Sequence, residues 1–192
     1  QHETVMARPD ASGISGRQVA LRTAMRQLWA QHMEWTYAAV AAFVDGSAGF
    51  DATVARLLRN QVDLGNAIKP YYGSAAGRQL TALLTEHIKD AVPVLTAAKA
   101  GDTAGLDTAV EQWYRNADQI ASFLSSANPD FKPGPMKDMM RGHITQTIAY
   151  ASDMLQGDRA KAIADYEVAE AHMMQMADML TAGIVKQFPK RF

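Results

Sequence analysis

Residues 28–33 read LWAQHM, residues 83–88 read LLTEHI and residues 139–144 read MMRGHI. Each string carries a histidine at its fifth position, so His32, His87 and His143 recur with a near-constant period of about 56 residues. Apolar residues recur around each of them at three- and four-residue steps. Leu21, Met25, Leu28, Trp29 and Trp35 flank His32. Leu80, Leu83, Leu84, Ile88 and Ala91 flank His87, and Met136, Met139, Met140, Ile144 and Thr147 flank His143. That spacing puts each set on one face of an α-helix, whereas a strand would alternate every second residue.

A second register runs beside the first. RLLRNQ at 56–61 and QWYRNA at 112–117 align on Asn60 and Asn116, and the next step of the same period falls on His172. Gly46, Gly101 and Gly157 keep that period too. Each glycine lies about as far after one of the three histidines as it lies before Asn60, Asn116 or His172. Equal distances from a turn mean equal heights in an antiparallel hairpin, here about 21 Å from the turn. The expectation is an all-α helical bundle of six helices, arranged as three antiparallel hairpins with a threefold internal repeat of about 56 residues.

The helices are predicted over 16–45, 51–69, 74–100, 103–127, 135–156 and 159–187. Ser74 and Asp158 are the expected N-caps, Gly46, Gly101 and Gly157 the expected C-caps, and Pro93 an expected kink in the third helix. Residues 1–15 are polar and aperiodic and read as a flexible leader, with 16–192 a single helical-bundle domain. The chain opens on Gln1, which fits processing of a signal peptide. A location outside the cytoplasm, periplasmic or secreted, is therefore expected. His2, close to that amino terminus, is a candidate copper ligand.

The composition narrows the function classes. Nineteen Lys and Arg balance 20 Asp and Glu for a formal charge of −1, which argues against a strongly basic nucleic-acid binder. No cysteine is present, which removes disulfides, zinc–thiolate sites, iron–sulfur clusters, thiol catalysis and covalent c-type haem. The apolar run from Tyr37 to Val44 is far shorter than a membrane span.

Six polar residues at one height of the bundle, on otherwise apolar faces, call for an explanation. His32, His87, His143, His172, Asn60 and Asn116 are the candidate ligand-binding residues. Buried amides and imidazoles must find partners. One reading is a site for a metal, a haem or a small polar ligand. The other is a structural or interaction module whose hydrogen-bonded layer only sets helix register. On the first reading copper, or iron in a haem, is the candidate cofactor. Met139 and Met176 each lie one helical turn from His143 and His172, so His143, His172, Met139 and Met176 form a candidate metal set. No Glu-x-x-His or His-Glu-x-x-His pattern occurs, which sets aside the di-iron carboxylate and zinc-protease arrangements.

Glu34 and Glu86 are candidate general bases beside the layer, and Lys137 with Asp178 is an expected cross-hairpin ion pair. No nucleophile or phosphate-binding motif is present. The aromatic and basic residues of the linkers 69–73 and 128–133 and of the tail 187–192 should plug one end of the core or meet a partner.

The stretches LWAQHMEWT, RLLRNQVDLGNAIKPYYG, AAGRQLTALLTEHI, NADQIASFLSSANP and MADMLTAGIVKQFP together resemble an uncharacterised family of bacterial six-helix proteins. The resemblance spans Leu21 to Phe188. It implies an all-α fold and carries over no activity and no site residue.

Overall fold

The structure is a computed structural model and describes residues 13–192. His2 therefore lies outside the described residues. Six helices follow one another: α1 (Gly16–Val44), α2 (Phe50–Tyr72), α3 (Ser74–Ala100), α4 (Thr103–Ala127), α5 (Pro133–Leu155) and α6 (Arg159–Gln187). A short 3₁₀ turn, Pro189–Arg191, ends the chain, and no strand occurs among the described residues.

Every helix packs on the next in sequence, and α6 returns to α1, so the bundle closes as a ring. Packing between α2 and α3 is more extensive than within any expected hairpin, and that between α4 and α5 is only slightly less, so the hairpins are not separate units. Short connections reverse the chain each time, so α1, α3 and α5 run in the same direction. These three also touch one another across the centre of the ring. The odd-numbered helices thus form an inner trio, and the three imidazoles ride on it.

The boundaries show where local chemistry decides. Ser15, Asp102 and Asp158 cap α1, α4 and α6 by accepting from the backbone N–H groups of Gln18, Gly105 and Lys161 at 3.0–3.2 Å. Ser74 is not a cap. One residue, Gly73, joins α2 to α3 and serves both ends, at φ 88°. A side-chain cap has no room in so short a turn. Gly101 is the C-cap of α3, whereas Gly46 and Gly157 lie one residue beyond the caps Asp45 and Gln156. All three have positive φ, between 63° and 81°, as a helix-ending glycine requires. Helix α2 runs on through Pro70 to Tyr72 and α3 runs across Pro93, so neither proline ends its helix.

Helices α2 and α3 approach closely at two glycines. A Cβ on Gly65 would lie 2.5 Å from the Gly77 carbonyl oxygen, and one on Gly77 would lie 2.6 Å from the Gly65 oxygen. On the outer surface Asp178 of α6 binds Arg22 and Arg26 of α1, at distances down to 2.5 Å. The expected Lys137–Asp178 pair is not made, because that face of α6 meets α1. Lys137 lies instead 3.9 Å from Asp118, which Arg141 also binds.

At the end away from the glycine turns, Tyr71, Tyr72, Phe188 and Phe192 pack ring on ring at 5.5–5.9 Å. The Tyr72 hydroxyl donates to Gln187 Oε1 at 2.7 Å and accepts from Asn128 Nδ2 at 3.2 Å. These aromatics close the end of the core. No described helix is long and apolar enough to cross a membrane.

Candidate metal centre

The inner helices deliver His32, His87 and His143 to one point. Their ring centroids lie 5.8 Å apart (His32–His87), 5.5 Å (His32–His143) and 5.3 Å (His87–His143). One ligand nitrogen from each lies within 4.8 Å of the other two. All three residues are buried, at 1–3% exposure. The triad is the one group of its kind among the described residues, and it could hold a metal ion.

The outer helices supply the second layer. Asn60 Nδ2 donates to the Leu28 carbonyl at 2.9 Å, and Asn116 Nδ2 donates to the Leu83 carbonyl at 3.0 Å. Leu28 and Leu83 each stand one helical turn before a histidine, so the two amides lock α2 and α4 to the inner helices at the height of the imidazoles. Both asparagines are fully buried. Gln61 beside Asn60 is also fully buried and donates to the Leu57 carbonyl at 2.8 Å and to Asn60 Oδ1 at 3.2 Å. Nothing in the apolar periodicity singles out Gln61; its neighbour in the RLLRNQ string is the only cue.

Trp113 of α4 covers His87. Its indole N–H is shared between His87 Nδ1 at 3.2 Å and the His87 carbonyl at 3.0 Å. The carbonyl alone can keep that donor satisfied, so Nδ1 can be released without orphaning the indole. Thr36 and Thr147, one helical turn after His32 and His143, donate to those residues' carbonyls at 2.6 and 2.8 Å.

Burial sets the protonation of the triad. Desolvation disfavours the imidazolium, and it pushes His32 down to about 4, with Gln61 and Asn60 partly opposing. Desolvation, then repulsion from His32, pushes His87 down to about 3, against some support from Asn116. His143 falls well below its ordinary value, first by desolvation and then by the charges of His87, His32 and His172. The three rings are therefore neutral at neutral pH, which is the ligating form of imidazole.

Several polar atoms in this layer lack a protein partner: Nδ1 of His32 and of His143, Oε1 of Gln61 and Oδ1 of Asn116. Each buried orphan costs about 1–3 kcal/mol. A guest with empty orbitals or hydrogen-bond donors would offset that cost.

The fit to a metal can be tested by distance. Three nitrogens at the 4.8 Å limit lie about 2.8 Å from their common centre, while metal–imidazole bonds are about 2.0–2.1 Å. Shifts of about 0.7 Å per ring close the gap, within the reach of small side-chain rotations. A haem does not fit. The rings pack directly on one another, and the cavity that touches His87 and His143 holds about 80 Å³, too little for a porphyrin.

The fourth candidate histidine does not join this group. His172 is half-buried and stays outside the mutual set of three, although it is near enough to depress His143. It lies over Gly142, where a Cβ would stand 3.6 Å from its Cε1. Met176 is buried in the apolar core and Met139 is packed against that core. Glu34 and Glu86 are exposed and do not face the layer.

Comparison of the chain with protein-family models, with curated proteins and with solved structures finds no match in any of the three.

Proposed function

We propose that this is a metal-binding helical-bundle protein, with His32, His87 and His143 as the ligands and copper as the metal. The convergence of three neutral, buried imidazoles on one point is the observation that carries the reading. Imidazole suits copper, zinc, iron and nickel alike. Charge favours copper among them. No carboxylate belongs to the ligand group, so the whole charge of the ion enters a buried site with no protein charge to compensate it. The cost of burying an ion grows steeply with its charge, and monovalent copper carries half that of a divalent ion. The proposed setting is outside the cytoplasm, where the absence of cysteine costs the site nothing. The two equivalent amide bonds, from Asn60 and from Asn116, also favour reading the hairpins as copies of one unit.

Those same bonds, with the Trp113 contact to His87, favour a second reading: a cofactor-free layer that fixes helix register. Titration of the metal-free chain with Cu(I) under anaerobic conditions, followed by melting, separates the two. The metal reading expects one equivalent bound and a rise in stability of about 2.7 kcal/mol at a hundredfold excess over Kd. His143→Gln should abolish both. A chain that takes up no copper, or a stabilisation that survives His32→Gln and His143→Gln, would leave the register reading.

A further inference from the structure

A second cavity, of about 310 Å³, lies toward the glycine-turn end of the bundle. It shares the walls Thr36, Val40, Ala91, Leu95, Trp113 and Thr147 with the smaller cavity that touches His87 and His143. Three of those residues, Thr36, Ala91 and Thr147, stand four positions after the three histidines, one helical turn along the inner trio. The inner end is therefore buried against the imidazole layer. The outer end is formed by half-buried residues, among them Leu106, Val110, Tyr114 and Ile148, and opens toward solvent. No charged side chain lines this cavity.

We infer that this cavity is a binding site for a small neutral aliphatic molecule with one hydroxyl or carbonyl head, its tail among the apolar walls and its head at the Thr36–Thr147 end beside the trihistidine layer. Three features carry the assignment. The volume is about twice the ~150 Å³ of an apolar cavity that admits benzene. The walls are mostly aliphatic, with Trp113 and Tyr114 the two aromatics, which rewards an apolar body and penalises a charged one. The inner end carries two hydroxyls, those of Thr36 and Thr147, whose protons are spent on carbonyls but whose lone pairs remain, while farther out Tyr114, already paired with Thr145, and Ser152 are the other hydroxyl-bearing residues of the wall. His143 is itself 2% exposed and lines the adjoining cavity. The position of the head rests on the trihistidine reading only in that it makes this molecule the metal's neighbour; the apolar body of the site does not depend on a metal.

The experiment is calorimetric titration of the full chain, metal-free and copper-loaded, with butanol, hexanol, octanol and decanol. Affinity should rise about fourfold per added methylene. It should level off when the chain outgrows the run from Thr147 to Leu155, about 12 Å of helix. Val110→Trp and, separately, Ile148→Trp narrow the outer end and should weaken hexanol binding at least tenfold while leaving copper uptake at one equivalent. Replacing Thr36 and Thr147 together by Val should weaken hexanol about tenfold if the head lies at the inner end. An affinity independent of chain length in the parent overturns the site, whether or not the variants fold. Hexanol binding unchanged in both folded tryptophan variants overturns it as well, and a silent threonine double variant overturns the orientation. Chain-length-dependent binding without copper uptake refutes the metal centre alone; copper uptake without it refutes the cavity alone.

Discussion

Acid should unfold the metal-free chain through its buried histidines. In the native state the imidazoles of His32, His87 and His143 are held neutral far below the ordinary histidine range, at about 4 and about 3 for the first two. The unfolded chain takes up protons near pH 6.5, and the native chain does not. The stability they contribute is therefore complete above about pH 6.5 and is lost as pH falls toward the native values. Between about pH 6.5 and pH 4.5 the loss is about 2 kcal/mol for each of His32 and His87, and His143 adds to it in the same sense. That is a large share of the ~5–15 kcal/mol by which a domain is stable. Asp90 acts in the opposite sense. Burial, then the neighbouring Glu86, raises its carboxyl to about 6, so its contribution is present at low pH and lost as pH rises through that value. Asp178, held low chiefly by its hydrogen bond to Arg26, acts only in more acid solution. Urea unfolding followed by circular dichroism across this range gives the slope. His87→Gln should lessen the loss over this range by about 2 kcal/mol. A stability that is flat from about pH 6.5 to pH 4.5, or a slope untouched by each His→Gln change, would refute the reasoning.

Copper uptake should be lost in His32→Gln, His87→Gln and His143→Gln and retained in His172→Gln, measured by equilibrium dialysis with elemental analysis. Asn60→Ala and Asn116→Ala should each destabilise by about 2 kcal/mol, because a buried hydrogen bond and its volume are both lost; denaturant midpoints check this. Gly65→Ala should cost about 1–3 kcal/mol by forcing α2 off α3, a loss that appears in thermal melts. Trp113→Phe should leave copper binding intact, since the indole supplies no ligand and its N–H competes for His87 Nδ1; copper competition assays with a coloured chelator report it.

Much of the fold was legible because helix periodicity is dense here. Leu80, Leu84, His87 and Ile88 share one buried face, and Asp158 starts α6 and Gly101 ends α3 where their local chemistry says they should. Counting from the glycines set Asn60 and Asn116 at the height of their histidines, and their side chains bond the inner helices there. What counting within a hairpin could not see was the third dimension. His172 stood at the right height on α6, but the centre of the ring belongs to α1, α3 and α5, so the imidazoles that meet are the ones a full period apart along the chain. Ring closure likewise sent Asp178 to Arg22 and Arg26 and left Lys137 to Asp118. The run of α2 through Pro70 was hidden because a proline normally ends a helix, while here the packing of Tyr71 and Tyr72 against the tail holds the last turn.

X-ray absorption at the copper edge, on the chain loaded with one equivalent of Cu(I) and with His2 replaced by Ala, addresses the central claim directly. The trihistidine centre predicts about three nitrogen scatterers near about 2.0 Å with the outer-shell pattern of imidazole and no sulfur. A sulfur shell at about 2.3 Å would place the metal on methionine instead, and a chain that holds no copper in that sample would contradict the account outright.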